Sequence, residues 1–266
     1  MARARPPDFA GRYVGNVAVV TGASAGLGAQ LCRDLAHAGA VVVGLARTTE
    51  RLHELRVELQ KDSPASDTLT CDVADTGALV AALRDVVADK GPIDLLVNNA
   101  AVDPGVRLVE ITEADFRRTL DVNFFAPVAA TLAVIESMAE RGRGIVVNVS
   151  SDGGRLPSPG PGAYPSSKAA LSAFSESISF RVGPKGVRVH VVYPAFMATE
   201  LGQGALERGL RRPPRLTIRS VEAVSRRILA RAGGGSLEIS VSALIDGAMV
   251  FRSLMPGTYH LLRRHW

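Results

Sequence analysis

The sequence predicts an α/β fold with a doubly wound sheet of about seven parallel strands and helices on both faces. Short, almost continuously apolar runs recur along the chain, which is typical of parallel strands covered on both faces. Stretches with helical periodicity lie between these runs, and the alternation indicates βαβ crossovers. The predicted strands are 17–22, 40–46, 68–73, 93–100, 144–151, 187–194 and 236–241, and the predicted helices are 26–38, 48–61, 75–89, 112–140, 162–182 and 220–232.

Two segments interrupt the alternation. Residues 152–161 are rich in glycine and proline, which predicts a loop after the fifth strand. Residues 200–219 predict a longer irregular insertion after the sixth. Because open α/β sheets bind ligands beyond the carboxyl ends of their strands, we expect 200–219 to form a substrate lid within a single domain, 1–266.

Composition limits the class of protein. The chain has 266 residues, 47% of them hydrophobic, and no apolar run approaches the roughly 20 residues of a membrane span. Residues 1–16 lack the apolar segment of a signal peptide. The two cysteines, Cys32 and Cys71, suit a reducing compartment. We therefore expect a cytoplasmic protein with no metal site and no disulfide framework.

The net charge of +5 is unevenly distributed. Residues 200–266 carry eleven arginines and five acidic residues. Such a segment could face nucleic acid, acidic lipid or an acidic protein. Because it lacks the alternating aromatic and basic residues of single-strand binders, we interpret it as a solvated face and expect no nucleic-acid partner.

A glycine-rich turn follows the first predicted strand. Gly22, Gly26 and Gly28 have the spacing G-x-x-x-G-x-G. Glycine lets the backbone approach a pyrophosphate, whose charge then meets the free N–H groups of a helix N-terminus. A tight turn without a ligand is the alternative, and the position in the first βα unit favours dinucleotide binding.

The end of the second strand bears on the choice of cofactor. An acidic residue there would bind the ribose of NAD, but Ala46 occupies this place and Arg47 follows it. A guanidinium pairs with a 2′-phosphate, so the sequence favours NADP(H) over NAD(H). A surface arginine that only flanks the next helix is the alternative.

Tyr164 and Lys168 are four residues apart and share one face of a predicted helix. A free phenol titrates near pH 10. A neighbouring ammonium lowers that pKa towards the range of a general acid or base. Ordinary packing, with the lysine reaching to water, is the alternative.

Together these motifs resemble the short-chain dehydrogenase/reductase family in its compact form. The segments that carry the resemblance are TGASAGLG (21–28), CDV (71–73), NNA (98–100) and the set Ser151, Tyr164 and Lys168. The resemblance covers about residues 14–200. It implies a Rossmann-like fold that binds a nicotinamide cofactor and interconverts a carbonyl compound and an alcohol.

The resemblance also implies a cofactor site. Asp72 and Val73 would border the adenine, Ala100 the nicotinamide-side ribose, and Thr199 the carboxamide, while Asn98 would steady the central strands. The expected cofactor residues are Gly22, Ser24, Gly26, Leu27, Gly28, Arg47, Asp72, Val73, Asn99, Ala100, Tyr164, Lys168, Pro194 and Thr199.

Three residues would act on the substrate or next to it. Tyr164 would exchange a proton with the substrate oxygen, and Lys168 would lower the pKa of Tyr164 and hold the ribose. Ser151 would orient the same oxygen. Its neighbour Ser150 is set aside because side chains alternate along a strand and the family spacing selects Ser151.

By the same resemblance, Asn123 would be a fourth catalytic residue that supports a proton relay through water; a solvated helix residue is the alternative. Pro127 has no N–H for the Asn123 carbonyl, which predicts a local kink. The sequence departs from the family pattern at Ala101 and Ala195, where glycine is usual. Each added methyl restricts the backbone and is expected to reshape the nicotinamide end slightly.

The substrate site is expected to contain Ser151 and Tyr164, with Phe196 and Met197 adding an apolar wall. An apolar ketone or alcohol is therefore favoured over a sugar. The lid arginines could receive an anionic group, although a solvated lid is our interpretation; they are Arg208, Arg211, Arg212, Arg215 and Arg219.

We therefore predict an NADP(H)-dependent carbonyl reductase. Alternatives on the same scaffold are an epimerase or dehydratase that uses the cofactor internally, and a non-catalytic NADP sensor. The atypical tail near 242–266 could cover a second subunit, the substrate pocket or an acidic membrane, and we expect it to pack on the protein itself. By resemblance, helix 112–140 would form the face of a homodimer or homotetramer.

Overall fold

The computed structural model describes residue 9 and residues 11–157, 160–207 and 213–263. In this part of the chain, seven parallel strands form one sheet in the order β3-β2-β1-β4-β5-β6-β7, which confirms the predicted Rossmann-like architecture. The strands are β1 (Val17–Thr21), β2 (Val41–Ala46), β3 (Asp67–Thr70), β4 (Leu95–Asn98), β5 (Gly144–Val149), β6 (Val187–Tyr193) and β7 (Glu238–Ser240).

Helices cover both faces of the sheet, and each face has its own cluster of buried apolar side chains. The helices are α1 (Gly26–His37), α2 (Thr49–Asp62), α3 (Thr76–Lys90), α4 (Glu113–Leu120), α5 (Ala126–Glu140), α6 (Asp152–Arg155), α7 (Ala163–Val182), α8 (Glu200–Glu207), α9 (Val221–Arg231), α10 (Ala243–Leu254) and α11 (Pro256–Arg263). On one face α1 contacts α2 and α9, and on the other α5 contacts α3 and α7.

The strand order reverses at β1. This strand pairs with β2 on one side and with β4 on the other. The connections that follow β1 and β4 therefore leave in opposite directions and open a crevice at the carboxyl edge of the sheet, where α/β proteins of this kind bind ligands.

A π-helical turn, Asp121–Phe125, joins α4 to α5. Pro127 has no N–H to donate to the carbonyl of Asn123, so the regular ladder is interrupted. The N–H of Ala126 bonds to the carbonyl of Asp121 instead. The predicted kink at Asn123 is therefore confirmed, and it takes the form of a wide turn of a kind often found at functional sites.

The helical stretch Glu113–Glu140 is long and apolar enough to cross a membrane, judged by length and composition alone. Polar residues are interspersed along this stretch, so no uninterrupted apolar run marks it in the sequence. In the fold its second half, α5, packs on α3, α7 and β5, as a core helix does.

Two segments that were predicted to be irregular contain helices, so these predictions were wrong in part. Residues 152–161 begin with the single turn α6, which Ser151 caps by accepting a hydrogen bond from the N–H of Gly153 at 3.1 Å. Residues 200–219 begin with α8 and contain a 3₁₀ turn, Arg215–Thr217. The lid residues Arg208, Arg211 and Arg212 lie outside the described residues.

The tail near 242–266 forms α10 and α11 as far as residue 263. It lies against the segment that follows β5. Asp246 accepts a hydrogen bond from the guanidinium of Arg155 at 3.1 Å, and Arg252 donates a hydrogen bond to the Arg155 carbonyl. The tail therefore contacts the same loop that carries Ser151.

Candidate active site

The crevice contains a cavity of about 300 Å³. The expected cofactor residues line it, with the exception of Gly28. They are Gly22, Ser24, Gly26, Leu27, Arg47, Asp72, Val73, Asn99, Ala100, Tyr164, Lys168, Pro194 and Thr199. The sequence motifs, which are spread over almost 180 residues of chain, thus meet in one place.

The glycine turn fits a dinucleotide through close backbone approach. A Cβ atom on Gly22 would lie 2.8 Å from Cα of Ala100, and Gly22 has a φ of +69°. A Cβ on Gly28 would lie 2.2 Å from the carbonyl oxygen of Gly22. Gly28 therefore does not line the cavity but lets α1 approach the turn.

The N-terminus of α1 opens at this turn. Its capping position is Ala25, whose side chain cannot accept a hydrogen bond from the first N–H groups. The first helical residues, Gly26 and Leu27, line the cavity. Unpaired N–H groups and the positive end of the helix dipole suit the pyrophosphate of a nicotinamide dinucleotide.

Asn99 fixes the position of β4 relative to the turn. Its amide nitrogen donates to the carbonyl of Thr21 at 3.0 Å, and its backbone N–H donates to the Thr21 hydroxyl at 3.0 Å. The neighbouring Asn98 is buried and donates to Asn148 on β5 at 2.8 Å. The two asparagines tie three strands together at the edge that forms the cavity floor.

Arg47 is exposed and lines the cavity just after β2. Nearby, Asp72 forms an ion pair with Arg118 at 3.0 Å. Burial raises the pKa of Asp72, but hydrogen bonds from the Ala74 N–H and from Arg118 outweigh this and lower the pKa overall, with help from the charge of Arg47. The end of the crevice that would hold the adenosine thus combines a fixed carboxylate with an arginine free to approach a phosphate.

Lys168 is almost completely buried, with 1% of its surface exposed. Its Nζ donates to the carbonyl of Val149 at 2.8 Å and lies 5.9 Å from the centre of the Tyr164 ring. Burial lowers the pKa of Lys168 to about 7. The helix spacing therefore does bring the amine beside the phenol, at the end of β5.

The pKa of Tyr164 is raised to about 12, mainly because the ring is buried. A hydrogen bond with Ser151 lowers it, whereas the charges of Asp103 and Asp152 raise it further. The sequence led us to expect that Lys168 would make this phenol acidic. In the protein alone, the cost of burying a phenolate exceeds the stabilisation that the Lys168 amine was expected to provide. Tyr164 therefore keeps its proton at neutral pH.

Asn123 is fully buried in the π turn. Its side chain exchanges two hydrogen bonds with the backbone of Val102, both at 2.8 Å, and donates to the Ser167 hydroxyl at 3.0 Å. Ser167 in turn donates to the carbonyl of Tyr164 at 2.7 Å. Asn123 is thereby connected to the helix that carries Tyr164.

Ser167 and Arg118 are the residues that sequence reasoning missed. Ser167 is buried and connects Asn123 with Tyr164. Arg118 lies 46 residues from its partner Asp72. No local motif links either pair, because both contacts arise where α4 and the π turn pack on distant elements.

Of the two apolar residues predicted to contact the substrate, only one lines the cavity. Met197 lines the cavity, as do Val102 and Leu201. Phe196 does not line it; its backbone pairs with Ile218, and a Cβ on Gly202 would lie 3.3 Å from its ring. Phe196 therefore packs on α8 and supports the cavity wall from behind.

Two serines lie at the end of β5. Ser150 is buried and donates to the carbonyl of Lys168 at 2.9 Å, which anchors α7 to the sheet. Ser151 is only partly buried and hydrogen-bonds Tyr164. The two hydroxyls therefore have different surroundings: Ser150 is among the residues that line the cavity and Ser151 is not, whereas Ser151 is the one bonded to Tyr164.

Comparison with known proteins identifies the class. The family model described as short chain dehydrogenase matches residues 16–208, and the chain belongs to this family of oxidoreductases. A short chain dehydrogenase of Pseudocercospora fijiensis is 37% identical over 199 residues, which are 74% of this chain and 64% of that protein.

Other relatives are similar over greater lengths. Dehydrogenase/reductase SDR family member 7B of Bos taurus is 32% identical over 94% of this chain and 81% of its own length. A variant of actinorhodin polyketide ketoreductase, crystallised with NADPH, superposes with a TM-score of 0.79 at 26% identity and covers 86% of this chain and 97% of that one.

Proposed function

We propose that the protein is an NADP(H)-dependent carbonyl reductase that interconverts a ketone or aldehyde and an alcohol on a fairly apolar small molecule. The observation that carries the proposal is that Tyr164 and Lys168 line the crevice that the glycine turn opens, with Ser151 hydrogen-bonded to Tyr164. Family membership supports the same reaction class.

The proposed cofactor is NADP(H), which supplies the hydride when it is bound. Arg47 supports this choice over NAD(H), because a guanidinium on the cavity wall can pair with a 2′-phosphate. The presence of NADPH in the related polyketide ketoreductase is in keeping with it. The glycine turn and the N-terminus of α1 would hold the pyrophosphate.

Ser151 is proposed to hold the substrate oxygen. Its Oγ accepts a hydrogen bond from the Gly153 N–H at 3.1 Å. The hydroxyl hydrogen therefore points away from that amide and can be donated to the substrate oxygen or to Tyr164. A donor fixed in this way stabilises negative charge as it develops on the oxygen.

Tyr164 is proposed to deliver the proton in the direction of reduction. Because burial raises the pKa of Tyr164 to about 12, the phenol carries its proton at neutral pH and can donate it to the substrate oxygen. Lys168, with a pKa near 7, can take up and release protons beside it. One N–H of Lys168 bonds the carbonyl of Val149, which leaves two for the phenol and the ribose hydroxyls.

An apolar substrate is proposed from the lining of the cavity. Val102, Met197 and Leu201 offer aliphatic surface beside the catalytic residues. Ser151 and Tyr164 would polarise the carbonyl group of such a substrate.

The proposal is tested by following the absorbance of NADPH. It should fall when NADPH is mixed with an apolar ketone or aldehyde from a panel, and it should rise when NADP is mixed with the matching alcohol. Turnover with at least one pair is expected. Binding of NADPH without any net change in its absorbance over the panel would contradict the reductase and favour the epimerase or dehydratase alternative.

The cofactor preference is tested with Arg47→Ala. Loss of charge-assisted hydrogen bonds to a phosphate costs about 1.5–3 kcal/mol, so the Kd of NADPH should rise by about 10- to 100-fold while that of NADH changes little. Arg56→Ala is the control, because Arg56 lies on the following helix, α2, does not line the cavity and pairs with Asp67. An equal effect on both cofactors would contradict the role of Arg47.

We also propose that the protein forms a homodimer or homotetramer. Phe125 in the π turn and Leu132 on α5, both within the predicted dimer face 112–140, are 50% and 60% exposed, and Phe180 on α7 is 73% exposed. Exposed apolar surface on this face would be buried by a second subunit. Light scattering during size-exclusion chromatography should give at least twice the mass of one chain, and a mass of 28.0 kDa would contradict this proposal.

A further inference from the structure

Arg155 is a buried cation outside the catalytic set. It ends the single-turn helix α6, and only 9% of its side chain is exposed. Its guanidinium stacks on the ring of Tyr193 at 3.7 Å from the ring centre. A buried guanidinium is costly unless it is paired, so its partners decide whether this position is stable.

Three carboxylates surround the guanidinium, and they come from three elements. Asp152 of α6 lies at 2.9 Å, Asp246 of α10 at 3.1 Å and Glu238 of β7 at 3.6 Å. The two remote partners lie more than 80 residues along the chain. Arg155 therefore connects the carboxyl-terminal part of the molecule with the loop that follows β5.

A second contact connects the same elements. Arg252 of α10 donates a hydrogen bond to the backbone carbonyl of Arg155. This carbonyl is at the end of α6, where a cation also interacts favourably with the unpaired carbonyl groups. Helix α10 thus holds both the side chain and the backbone of Arg155.

Helix α6 in turn sets the position of Ser151. The N–H of Gly153 donates to Ser151 Oγ at 3.1 Å, and the N–H of Gly154 donates to the Ser151 carbonyl at 2.9 Å. A helix of one turn has little stability of its own, since forming the first turn is the unfavourable step. Helix α6 packs closely on α7 at Gly154, and the contacts at its far end add to this packing in holding Ser151.

We propose that α10 positions the Ser151 hydroxyl through Arg155, so that the carboxyl-terminal tail is a part of the active site. Arg155 and Asp246 are positioning residues in this arrangement, and neither touches the reacting atoms. The proposal rests on the role of Ser151 in the proposed function. It explains why a buried arginine with three acidic partners lies four residues after the serine.

The test uses Asp246→Asn in the full-length protein. Asp246 is 44% exposed, so the amide should be tolerated without loss of the fold. Removing an oxyanion donor costs about 10²–10³ in kcat, and loosening one should cost about tenfold in kcat with little change in KM or in the Kd of NADPH. Asp246→Glu keeps the carboxylate and should restore most of the activity. Asp89→Asn removes a surface ion pair with Lys90 and is the matched control.

A double-mutant cycle separates positioning from a general loss of structure. In a Ser151→Ala background, Asp246→Asn should have almost no further effect on kcat, because the group that it positions is missing. Hydrogen exchange of the 151–157 segment should be faster in Asp246→Asn than in the parent and in Asp89→Asn. If the Ser151→Ala protein turns over too slowly to measure, hydrogen exchange alone tests whether Asp246 positions the 151–157 segment.

The two proposals fail in different ways. If Ser151→Ala retains full activity, the proposed function is wrong at that residue and the positioning role falls with it. If Ser151→Ala is impaired but Asp246→Asn is fully active, shows an additive loss in the cycle or leaves hydrogen exchange of 151–157 unchanged, only the positioning proposal is overturned.

Discussion

The two sides of the crevice are built in different ways. On the side of β1 and α1 the backbone itself forms the site, with Gly22 and Gly28 so close to their neighbours that no side chain fits. On the side of β5, side chains such as Tyr164 and Lys168 form it, and behind them Arg155 reaches partners more than 80 residues away. The first kind of site is encoded in a short motif, whereas the second depends on distant elements packing correctly.

The largest effect on activity is expected from Tyr164→Phe, on the side of the crevice that side chains form. Proton transfer by a positioned side chain contributes about 10²–10⁴-fold, so kcat should fall by about that factor while the cofactor still binds. Steady-state kinetics with NADPH and a reactive ketone measures this. Tyr13→Phe is the control, because Tyr13 does not line the cavity and its hydroxyl donates to the Leu229 carbonyl, so kcat should be unchanged. Full turnover by Tyr164→Phe would exclude it as the proton donor.

The second-largest effect is expected from Gly28→Ala, on the side of the crevice that the backbone forms. The added methyl would lie 2.2 Å from the carbonyl oxygen of Gly22 and 2.5 Å from the Asn99 amide, so α1 must move away from the turn. Overpacking of this kind costs about 1–3 kcal/mol in the free energy of unfolding. The Kd of the cofactor should rise by about tenfold or more, since 1.4 kcal/mol corresponds to that factor.

Gly235→Ala is the control for this change, because a Cβ there meets no atom within 4 Å. Thermal unfolding and cofactor titration of the two variants should differ clearly. Equal behaviour of Gly28→Ala and Gly235→Ala would show that close backbone approach is not what shapes the first half of the crevice.

The pH dependence of stability reports on the buried amine. Lys168 has a pKa of about 7 in the fold, against the usual 10.5. Between these values the unfolded chain binds a proton that the native protein does not, so Lys168 makes stability rise with pH in this interval. Below pH 7 the amine is charged in both states and the burial cost is fully present.

Lys168→Met should therefore stabilise the protein most at pH 7 and below, and the gain should shrink as the pH rises towards 10.5. Denaturant unfolding of the variant and the parent at several pH values measures it. Lys185→Met is an exposed control on the segment after α7. A gain that does not change with pH would mean that the amine is not buried as an uncharged group.

The smallest effect is expected from Arg118→Ala. The ion pair with Asp72 is about half exposed, with 45% and 43% of the two side chains accessible. Pairs of this kind contribute about 0–1 kcal/mol, so thermal stability should change little. Removing a partner that lowers the pKa of Asp72 should raise that pKa, which NMR titration of the carboxylate can follow. An unchanged pKa would show that the backbone N–H of Ala74 holds the carboxylate alone.

The sequence by itself determined the order of strands and helices along the chain, the glycine turn and the candidate set Ser151, Tyr164 and Lys168. These features depend on local patterns: apolar runs, helix periodicity and the four-residue spacing of Tyr164 and Lys168. Even the kink at Asn123 was predictable, because a proline removes one specific hydrogen bond.

Only the tertiary structure decided the rest. The raised pKa of Tyr164 comes from burial, which no spacing in the chain reveals. Helix α6 in a glycine-rich segment and the pairing of Arg155 with Asp246 depend on elements that meet only after folding. The physical reason is that burial and long-range charge pairing are properties of the packed molecule, whereas turns and helix spacing are properties of neighbouring residues.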